Sequence, residues 1–136
     1  MKRFVLPALS LLFLSCASLL AQSDLTIEII NLKNDKGMVI VELLNQDEER
    51  VGDKSSKIVQ GTCSLVFKDL PNGQYAVRYF HDENSNDELD TNIIGIPKEG
   101  FGFSNDAFGR FGPKDFEEWL FPVVGDTTIR MVTRYL

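Results

Sequence analysis

Side chains that commonly build enzyme and zinc sites are scarce in this sequence. Its 136 residues include one histidine and two cysteines, so a zinc site with several histidine ligands is excluded within one chain. The sequence has no Gly-x-Ser-x-Gly nucleophile elbow, and none of its glycine-rich stretches ends in the Gly-Lys-Ser/Thr of a phosphate-binding loop. These absences disfavour a serine hydrolase and a nucleotide-binding protein.

Positive charge is scarce as well. The chain has 14 Lys and Arg against 20 Asp and Glu, which gives a formal net charge of -6 at pH 7. Because the phosphate backbones of DNA and RNA attract basic surfaces, we expect no nucleic-acid partner. The acidity is typical of an exported soluble protein or of one that holds cations.

The long apolar run of the chain lies at its N-terminus. Two basic residues precede an apolar stretch from Phe4 to Leu20, and the small residue Ala21 follows. This order is typical of a secretory signal peptide. We therefore predict a signal peptide over residues 1–21 and a single domain over residues 22–136. The mature form would have no transmembrane span, and it would be periplasmic, outer-membrane-associated or secreted.

The two cysteines lead to different interpretations. Cys16 lies within the apolar run, and a lipid attached to it would anchor the protein in the envelope, which is the alternative to cleavage after Ala21. Cys63 would be the single cysteine of the cleaved chain, so no internal disulfide is expected. It shares a strand face with Leu65 and Phe67, which predicts a buried and inert thiol.

Apolar residues of the predicted domain recur mainly at every second position, which indicates β-strands. The alternation is clear in residues 25–29, 39–43 and 75–79, and Gly, Asn, Asp and Pro are frequent between such segments. A short turn containing Gly37 joins the first two segments. We therefore predict that these two segments form a β-hairpin.

The remaining strands are less regular. Residues 46–56 are polar and predict an exposed loop, and strands are expected near residues 57–60 and 63–68. Two final strands are expected over about residues 119–124 and 127–136. About seven strands in a chain of this length favour an all-β fold, an antiparallel β-sandwich of the transthyretin or immunoglobulin type.

A long Gly/Phe-rich crossover loop, residues 82–118, interrupts the strand pattern and contains seven glycines and prolines. An insertion of this length in a compact domain needs its own means of ordering. Its aromatic residues, with the tryptophan that follows, predict a lid over the sandwich. Residues 115–119 are expected to form a short helical turn. The alternative is that four of the rings form an exposed ligand surface for an envelope protein or a glycan. Those four are Phe101, Phe103, Phe108 and Phe111.

The crossover begins with an acidic loop, residues 82–90, in which oxygen-bearing side chains alternate along the chain. Calcium loops use side chains at the first, third, fifth and ninth positions and a backbone carbonyl at the seventh. The spacing therefore predicts a calcium loop over residues 82–93. Its ligands would be Asp82, Asn84, Asn86, Glu88 and Asp90.

This calcium shell is incomplete within the loop itself. Ile93 stands at the twelfth position, where a helical calcium loop has a bidentate glutamate. Asn92, Glu99 or Asp106 would have to fold back to complete the shell. One alternative is a metal-free turn, in which the Asp and Asn side chains hydrogen-bond to their own backbone. The other is a site for a cation other than calcium.

Two stretches resemble known families. Residues 67–75, Phe-Lys-Asp-Leu-Pro-Asn-Gly-Gln-Tyr, look like the strand-turn-strand phrase of transthyretin-like and carboxypeptidase-regulatory-like modules. Residues 75–105, with His-Asp-Glu-Asn-Ser-Asn-Asp at their centre, resemble the bacterial domain-of-unknown-function 2141 family. That resemblance implies an exported β-sandwich of unassigned role. Members have glycines where this chain has Ser85 and Asp87, and Asp87 is the sixth loop position, where calcium loops favour glycine.

The sequence favours a non-enzymatic envelope module, and no catalytic residue is predicted. His81 is predicted to fix the start of the acidic loop. An acid-base pair with the adjacent Asp82 is disfavoured, because neighbouring residues on an extended strand point to opposite faces. The alternative is a small hydrolase that uses clustered carboxylates such as Asp82, Asp90 and Glu99. Such an enzyme needs two carboxyls at a defined separation across a cleft.

Overall fold

The computed structural model describes residues 20–136. Residues 1–19, which hold most of the predicted signal peptide and Cys16, lie outside this described part. The described chain forms eight β-strands and two short 3-10 helices, Ser104–Asp106 and Phe116–Trp119, the second within the predicted helical turn. The strands are β1 (Gln22–Ile30), β2 (Met38–Asn45), β3 (Arg50–Ser56), β4 (Cys63–Pro71), β5 (Gly73–Asp82), β6 (Phe101–Phe103), β7 (Phe121–Val123) and β8 (Thr127–Val132). No helix in this part of the chain is long and apolar enough to cross a membrane.

The strands form two sheets, which confirms the predicted all-β sandwich. One sheet has the order β4-β1-β8, and the other has the order β3-β2-β5-β6, with β7 also paired to β5. The pairing of β1 with β8 is parallel, whereas the other strand pairs are antiparallel. Parallel neighbours need a long connection, and most of the chain separates these two strands.

The predicted hairpin of the first two strands is wrong. β1 pairs with β4 and β8, whereas β2 pairs with β3 and β5, so the two strands lie in opposite sheets. Each strand has one fully buried apolar face: Leu25, Ile27 and Ile29 in β1, and Val39, Val41 and Leu43 in β2. Alternating apolar residues fit a hairpin and two facing sheets equally well, and the second arrangement buries both faces against each other.

The predicted loop over residues 46–56 is also wrong, because most of it is strand β3. This strand lies at the edge of its sheet and is largely exposed, so it has no apolar face by which to be recognised. Charged side chains on an edge strand hinder pairing with other chains. The strand predicted near residues 57–60 is absent there, since Val59 forms an isolated bridge with Thr62.

The main hydrophobic core lies between the two sheets, and Cys63 belongs to it. The Cys63 side chain is buried, and burial raises the pKa of its thiol to about 11, although a hydrogen bond with Ser56 opposes the shift. A thiol with such a pKa is almost wholly protonated at neutral pH, and the thiolate is the reactive form. The structure therefore agrees with an inert buried cysteine.

The C-terminal residues join the two sheets along one side. After β8, the backbone N–H groups of Arg134 and Phe101 each donate to the other residue's carbonyl, at 3.0 Å. Gly102 allows β6 to pack closely here, since a Cβ at this position would lie 2.4 Å from the Tyr79 ring. The beginning of the aromatic part of the crossover is thus held against the sandwich.

Candidate functional site

Strand β5 carries the chain directly into the acidic loop, and its last two residues are fully buried. His81 uses both ring nitrogens. Its Nε2–H donates to the Lys36 carbonyl at 2.7 Å, and its Nδ1 accepts from the Tyr135 hydroxyl at 2.9 Å. The histidine therefore joins β5, the turn before β2 and the C-terminal segment, and neither nitrogen is left to act as a general base.

The buried side chain of Asp82 stabilises the acidic loop through hydrogen bonds to its backbone. Its carboxylate accepts the backbone N–H of Asn86 at 3.1 Å and that of Asp87 at 2.9 Å. A carboxylate that accepts backbone N–H groups makes charge-assisted hydrogen bonds, which are stronger than neutral ones. The first residue of the predicted calcium loop thus stabilises the loop through hydrogen bonds.

The third, fifth and ninth positions of the predicted calcium loop meet at one point. The amide groups of Asn84 and Asn86 donate to the two oxygens of Asp90, the second at 2.8 Å. The Asn86 Oδ1 also accepts the backbone N–H of Glu88 at 3.0 Å, while the Glu88 side chain is exposed. Three predicted ligands therefore converge, but in the structure they contact one another as in an Asx-rich turn.

Two residues of the acidic loop, Ser85 and Asp87, have left-handed backbones although neither is a glycine. Ser85 has a φ of 59° and Asp87 a φ of 62°. The loop therefore keeps the sharp turn of a calcium loop at its sixth position without a glycine there. Residues with a Cβ adopt this conformation at a cost of about 1–2 kcal/mol, which Asp and Asn reduce by bonding locally.

Glu99 is the residue that folds back onto the acidic loop. It is buried, and its Oε1 accepts the Glu83 N–H at 2.9 Å while its Oε2 accepts the Asp90 N–H at 3.1 Å. One carboxylate thus ties the two ends of the loop together. Asn92 caps a separate turn, because its side chain accepts the N–H groups of Ile94 and Ile96.

The other residue considered for the calcium shell, Asp106, lies elsewhere, beside Val132. Within residues 20–136, no three His, Cys, Asp or Glu side chains form a group that could hold a metal ion. An ion in the acidic loop would therefore depend on the amide oxygens of Asn84 and Asn86 and on backbone carbonyls.

An ion pair fastens the acidic loop to the turn that precedes β2. The Lys33 Nζ lies 2.8 Å from the Glu83 carboxylate, which also accepts a hydrogen bond from Asn34 at 3.1 Å. Partial desolvation opposes the shift, but the hydrogen bonds from Lys33 and Asn34 hold the pKa of Glu83 below its ordinary value. The same contact raises the pKa of Lys33.

Residues 101–119, the aromatic segment, pack against the outer face of the five-stranded sheet. The rings of Phe103 and Trp119 have centroids 4.4 Å apart, and Phe103 also contacts Phe101 and Phe108 edge to face. Together with Ala107, the buried Trp119 forms a second apolar cluster on the sheet residues Leu44 and Ala76. The segment thus orders itself by packing rings on the sandwich.

The four rings predicted as a ligand surface differ in exposure. Phe101 is buried, Phe103 and Phe108 are half-buried, and 93% of Phe111 is exposed. Ser104, which was not predicted as a site residue, is fully buried under this segment. Its hydroxyl accepts the Val77 N–H at 2.9 Å and donates to the Trp119 carbonyl at 2.6 Å, so it links β5 to the aromatic segment.

An apolar groove of about 730 Å³ lies between the turn at residues 92–97 and the aromatic segment. Ile94 and Ile96 form one wall, and Phe108 and Phe111 belong to the other. The charged residues in its lining are two arginines, Arg110 and Arg134, and the guanidinium of Arg134 lies 3.9 Å from the centroid of the Phe108 ring. The isoleucines and arginines were not predicted as site residues. The available signal was the presence of isoleucines in a stretch that contains Gly95 and Pro97.

The comparisons with known proteins concern the family and the fold. The profile of a bacterial family described as "Uncharacterized protein conserved in bacteria (DUF2141)" matches residues 27–130. No curated protein matches the chain. Among solved structures, a fimbrial assembly protein from Parabacteroides distasonis is similar, with a TM-score of 0.46 and 9% sequence identity. The match covers 85% of this chain and 54% of that protein, so the chain spans about half of its length.

The family match extends from β1 to β8 and includes the acidic loop and the aromatic segment. It confirms the resemblance noted in the sequence around His81–Asp90. The chain belongs to the DUF2141 family of uncharacterized bacterial proteins.

Proposed function

We propose that the chain is an exported, non-enzymatic binding module of the bacterial envelope, and that its ligand site is the apolar groove. The observation that carries this proposal is the exposure of large apolar side chains around the groove. Ile94 is 74% exposed, Phe111 93% and Leu136 73%. Contiguous exposed apolar surface at a concave site is typical of ligand and partner binding.

The contacts of the carboxylates and the histidine support binding rather than hydrolysis. Asp82 and Glu99 are buried and accept backbone hydrogen bonds, and His81 uses both nitrogens in structural contacts. The lining of the groove contains no Asp, Glu, His, Ser or Cys. A hydrolase that relies on carboxylates needs two of them across a cleft, and the groove offers none.

The composition of the groove favours an apolar ligand over a glycan. Sugars are recognised through several hydrogen-bonding side chains combined with exposed ring faces. In the groove, Phe101, Phe103 and Phe108 pack edge to face with one another, and Phe111 is the ring that remains exposed. The apolar part of a lipid-like molecule or of an envelope protein fits this lining better.

A neutral fluorescent probe of apolar sites, N-phenyl-1-naphthylamine, tests the proposal. We expect its fluorescence to rise on binding to the protein, and we expect I94S and F111S each to weaken binding several-fold. V124S is the matched control, because Val124 is about as exposed as Ile94 and lies outside the groove. The proposal is wrong if the probe does not bind, or if the groove variants and V124S bind it equally.

Export is a separate part of the proposal, and it is supported by the order of residues at the N-terminus. We expect a bacterial host to convert the full chain to a form that lacks residues 1–21, and to accumulate it outside the cytoplasm. The intact mass of the purified protein tests this. A mass that retains residues 1–21 contradicts it, and a lipid on Cys16 supports the anchored alternative.

Weak calcium binding in the acidic loop is a second proposal, in which the ion stabilises the loop without taking part in a reaction. Two observations favour it: the left-handed backbone of Asp87 at the sixth loop position, and the convergence of Asn84, Asn86 and Asp90. Calcium would require the two amides to turn their oxygens toward Asp90. Affinity would then lie in the range of extracellular modules, about 10⁻⁴ to 10⁻³ M.

A further inference from the structure

The charge of the apolar groove is opposite to that of the whole chain. The chain carries 20 acidic against 14 basic residues, yet the two charged residues in the lining of the groove are both arginines. Apolar small-molecule sites typically carry a few placed polar groups that fix the orientation of the ligand. Arg110 and Arg134 are the groups of this kind in the groove.

These two arginines also differ from the other arginines in residues 20–136. Arg50 pairs with Asp53, Arg78 with Glu42, and Arg130 with Glu28. Arg110 and Arg134 form no ion pair with a carboxylate of the described chain; each guanidinium instead lies over a phenylalanine ring of the groove. Both are therefore available to an anion that enters the groove.

Arg134 is held in place before any ligand arrives. Its backbone N–H and carbonyl both bond to Phe101, and its guanidinium stacks 3.9 Å from the centroid of the Phe108 ring. A guanidinium fixed by stacking presents its planar fork of N–H donors, which matches a carboxylate or phosphate in two-pronged geometry. Fixing the side chain beforehand lowers the entropy lost on binding.

We propose, as an extension of the proposed binding function, that the groove binds a single-chain amphiphile with an anionic head. Its alkyl chain would lie along Ile94, Ile96 and Phe111, and its head group would pair with Arg134 and Arg110. The groove volume of about 730 Å³ is within the range of about 300–1,000 Å³ that is typical of small-molecule sites. A neutral or cationic head would leave the arginines without a partner.

Titration calorimetry with three amphiphiles built on ten-carbon chains tests the inference. The two ionic compounds are kept below their micelle concentrations and the alcohol below its solubility limit. We expect decanoate to bind at least about tenfold more tightly than 1-decanol, because hydrogen bonds between a guanidinium and a carboxylate are stronger than those to a neutral hydroxyl. Decyltrimethylammonium should bind more weakly than the alcohol. Added salt should reduce the affinity for decanoate and leave that for decanol nearly unchanged.

Arginine variants locate the effect. R134Q should remove most of the preference for decanoate while the affinity for 1-decanol is retained. R134K keeps the charge without the planar fork and should keep part of the preference. R130Q is the control, because Arg130 is paired with Glu28 on the three-stranded sheet, away from the groove. Melting curves identify any variant that has lost its fold.

The outcomes separate this inference from the proposed function. If the alcohol and the neutral naphthyl probe bind but decanoate shows no preference, or if R134Q keeps the preference, the inference is wrong and the apolar groove remains a binding site. If none of the probes binds, both proposals are wrong. A preference that R130Q removes as fully as R134Q would place the anion elsewhere and overturn the inference.

Discussion

The acidic loop and the aromatic segment are neighbouring parts of one long crossover, yet different forces order them. In the acidic loop, the carboxylates of Asp82 and Glu99 accept four backbone N–H groups. In the aromatic segment, Phe103 and Trp119 pack on each other and on the sheet. The first half of the crossover is thus stabilised by local polar contacts, and the second half by burial of rings.

The difference explains where the apolar groove arises. The turn at residues 92–97 is held by the side chain of Asn92 and by the bridge of Thr91 with Pro97, so its isoleucines are not needed to order it. Phe111 likewise contributes little to the packed rings, because it is exposed. Apolar side chains that the fold does not use face each other across the groove.

The largest expected effect is the loss of ring packing in the aromatic segment. W119A should reduce the free energy of unfolding by about 3–5 kcal/mol, because it removes a buried aromatic ring and leaves a cavity. Urea unfolding followed by circular dichroism measures it. F111A, which removes an exposed ring, should change stability by less than about 0.5 kcal/mol. Equal effects of the two variants would show that the segment is not ordered by the packing of Trp119.

The corresponding change in the acidic loop should be smaller. E99Q replaces a carboxylate that accepts two backbone N–H groups with an amide whose NH₂ group faces one of those donors. We expect a loss of about 1–3 kcal/mol, the cost of an unsatisfied buried donor. E88Q, at an exposed loop position, is the matched control and should have almost no effect. If E99Q were as stable as the unmodified protein, Glu99 would not be the contact that holds the two loop ends together.

Calcium would add a second stabilising contact to the loop. At an ion concentration several times the dissociation constant, binding should stabilise the fold by about 1 kcal/mol, and a chelator should reverse it. Thermal melting with and without millimolar calcium measures the shift. D90N should abolish it, whereas D47N, at an exposed position outside the loop, should not. Superimposable curves for the unmodified protein would exclude the calcium proposal and leave the hydrogen-bonded turn.

The left-handed positions of the loop should respond to glycine. S85G and D87G should each stabilise the fold by about 0.5–1 kcal/mol, because glycine adopts a positive φ without steric cost. In the strand β4, S64G should instead destabilise by a similar amount, since glycine only adds entropy to the unfolded chain there. Chemical unfolding measures all three variants. Destabilisation by S85G and D87G would mean that their side chains make contacts that outweigh the backbone strain.

The smallest expected effect concerns the ion pair of Lys33 with Glu83. Desolvation opposes the shift, but hydrogen bonds hold the pKa of Glu83 below its ordinary value. The pair therefore stabilises the fold at pH values above the ordinary pKa of a glutamate. Its contribution is lost as the pH falls through the lowered pKa. Because Lys33 is half-exposed, screening limits the contribution to about 0.5 kcal/mol. The difference in stability between E83Q and the unmodified protein should vanish in acid; a difference that persists there would point to contacts other than charge.

The sequence could predict features that depend on neighbouring residues, and it could not predict contacts between residues far apart in the chain. The alternation of apolar and polar residues identified β1, β2 and β5, because a strand with one buried face has an apolar residue at every second position. It could not tell a hairpin from two facing sheets, and it missed the edge strand β3, which has no buried face. For the candidate site, residue type and spacing pointed to the acidic loop, and the calcium site predicted there stays a prediction. That Glu99 closes the loop depends on the return of the chain, which local patterns do not encode.

The apolar groove was beyond local prediction for the same reason. Its walls come from residues 94–97, from the aromatic segment and from Arg134. The bridge of Phe101 with Arg134 brings the last of these to the aromatic segment. Apart from the isoleucines of the turn, each wall residue taken alone resembles an ordinary loop residue. The phenylalanines predicted as a ligand surface were the part of the groove that composition could indicate.

The most direct test of the central claim is a map of backbone amide chemical shifts during titration with the neutral naphthyl probe. If the apolar groove is the binding site, the largest changes will be confined to Ile94, Ile96, Phe108, Phe111 and Arg134, and the three-stranded sheet will be unaffected. Changes centred on the outer strands of that sheet, or none at saturating probe, would contradict the claim.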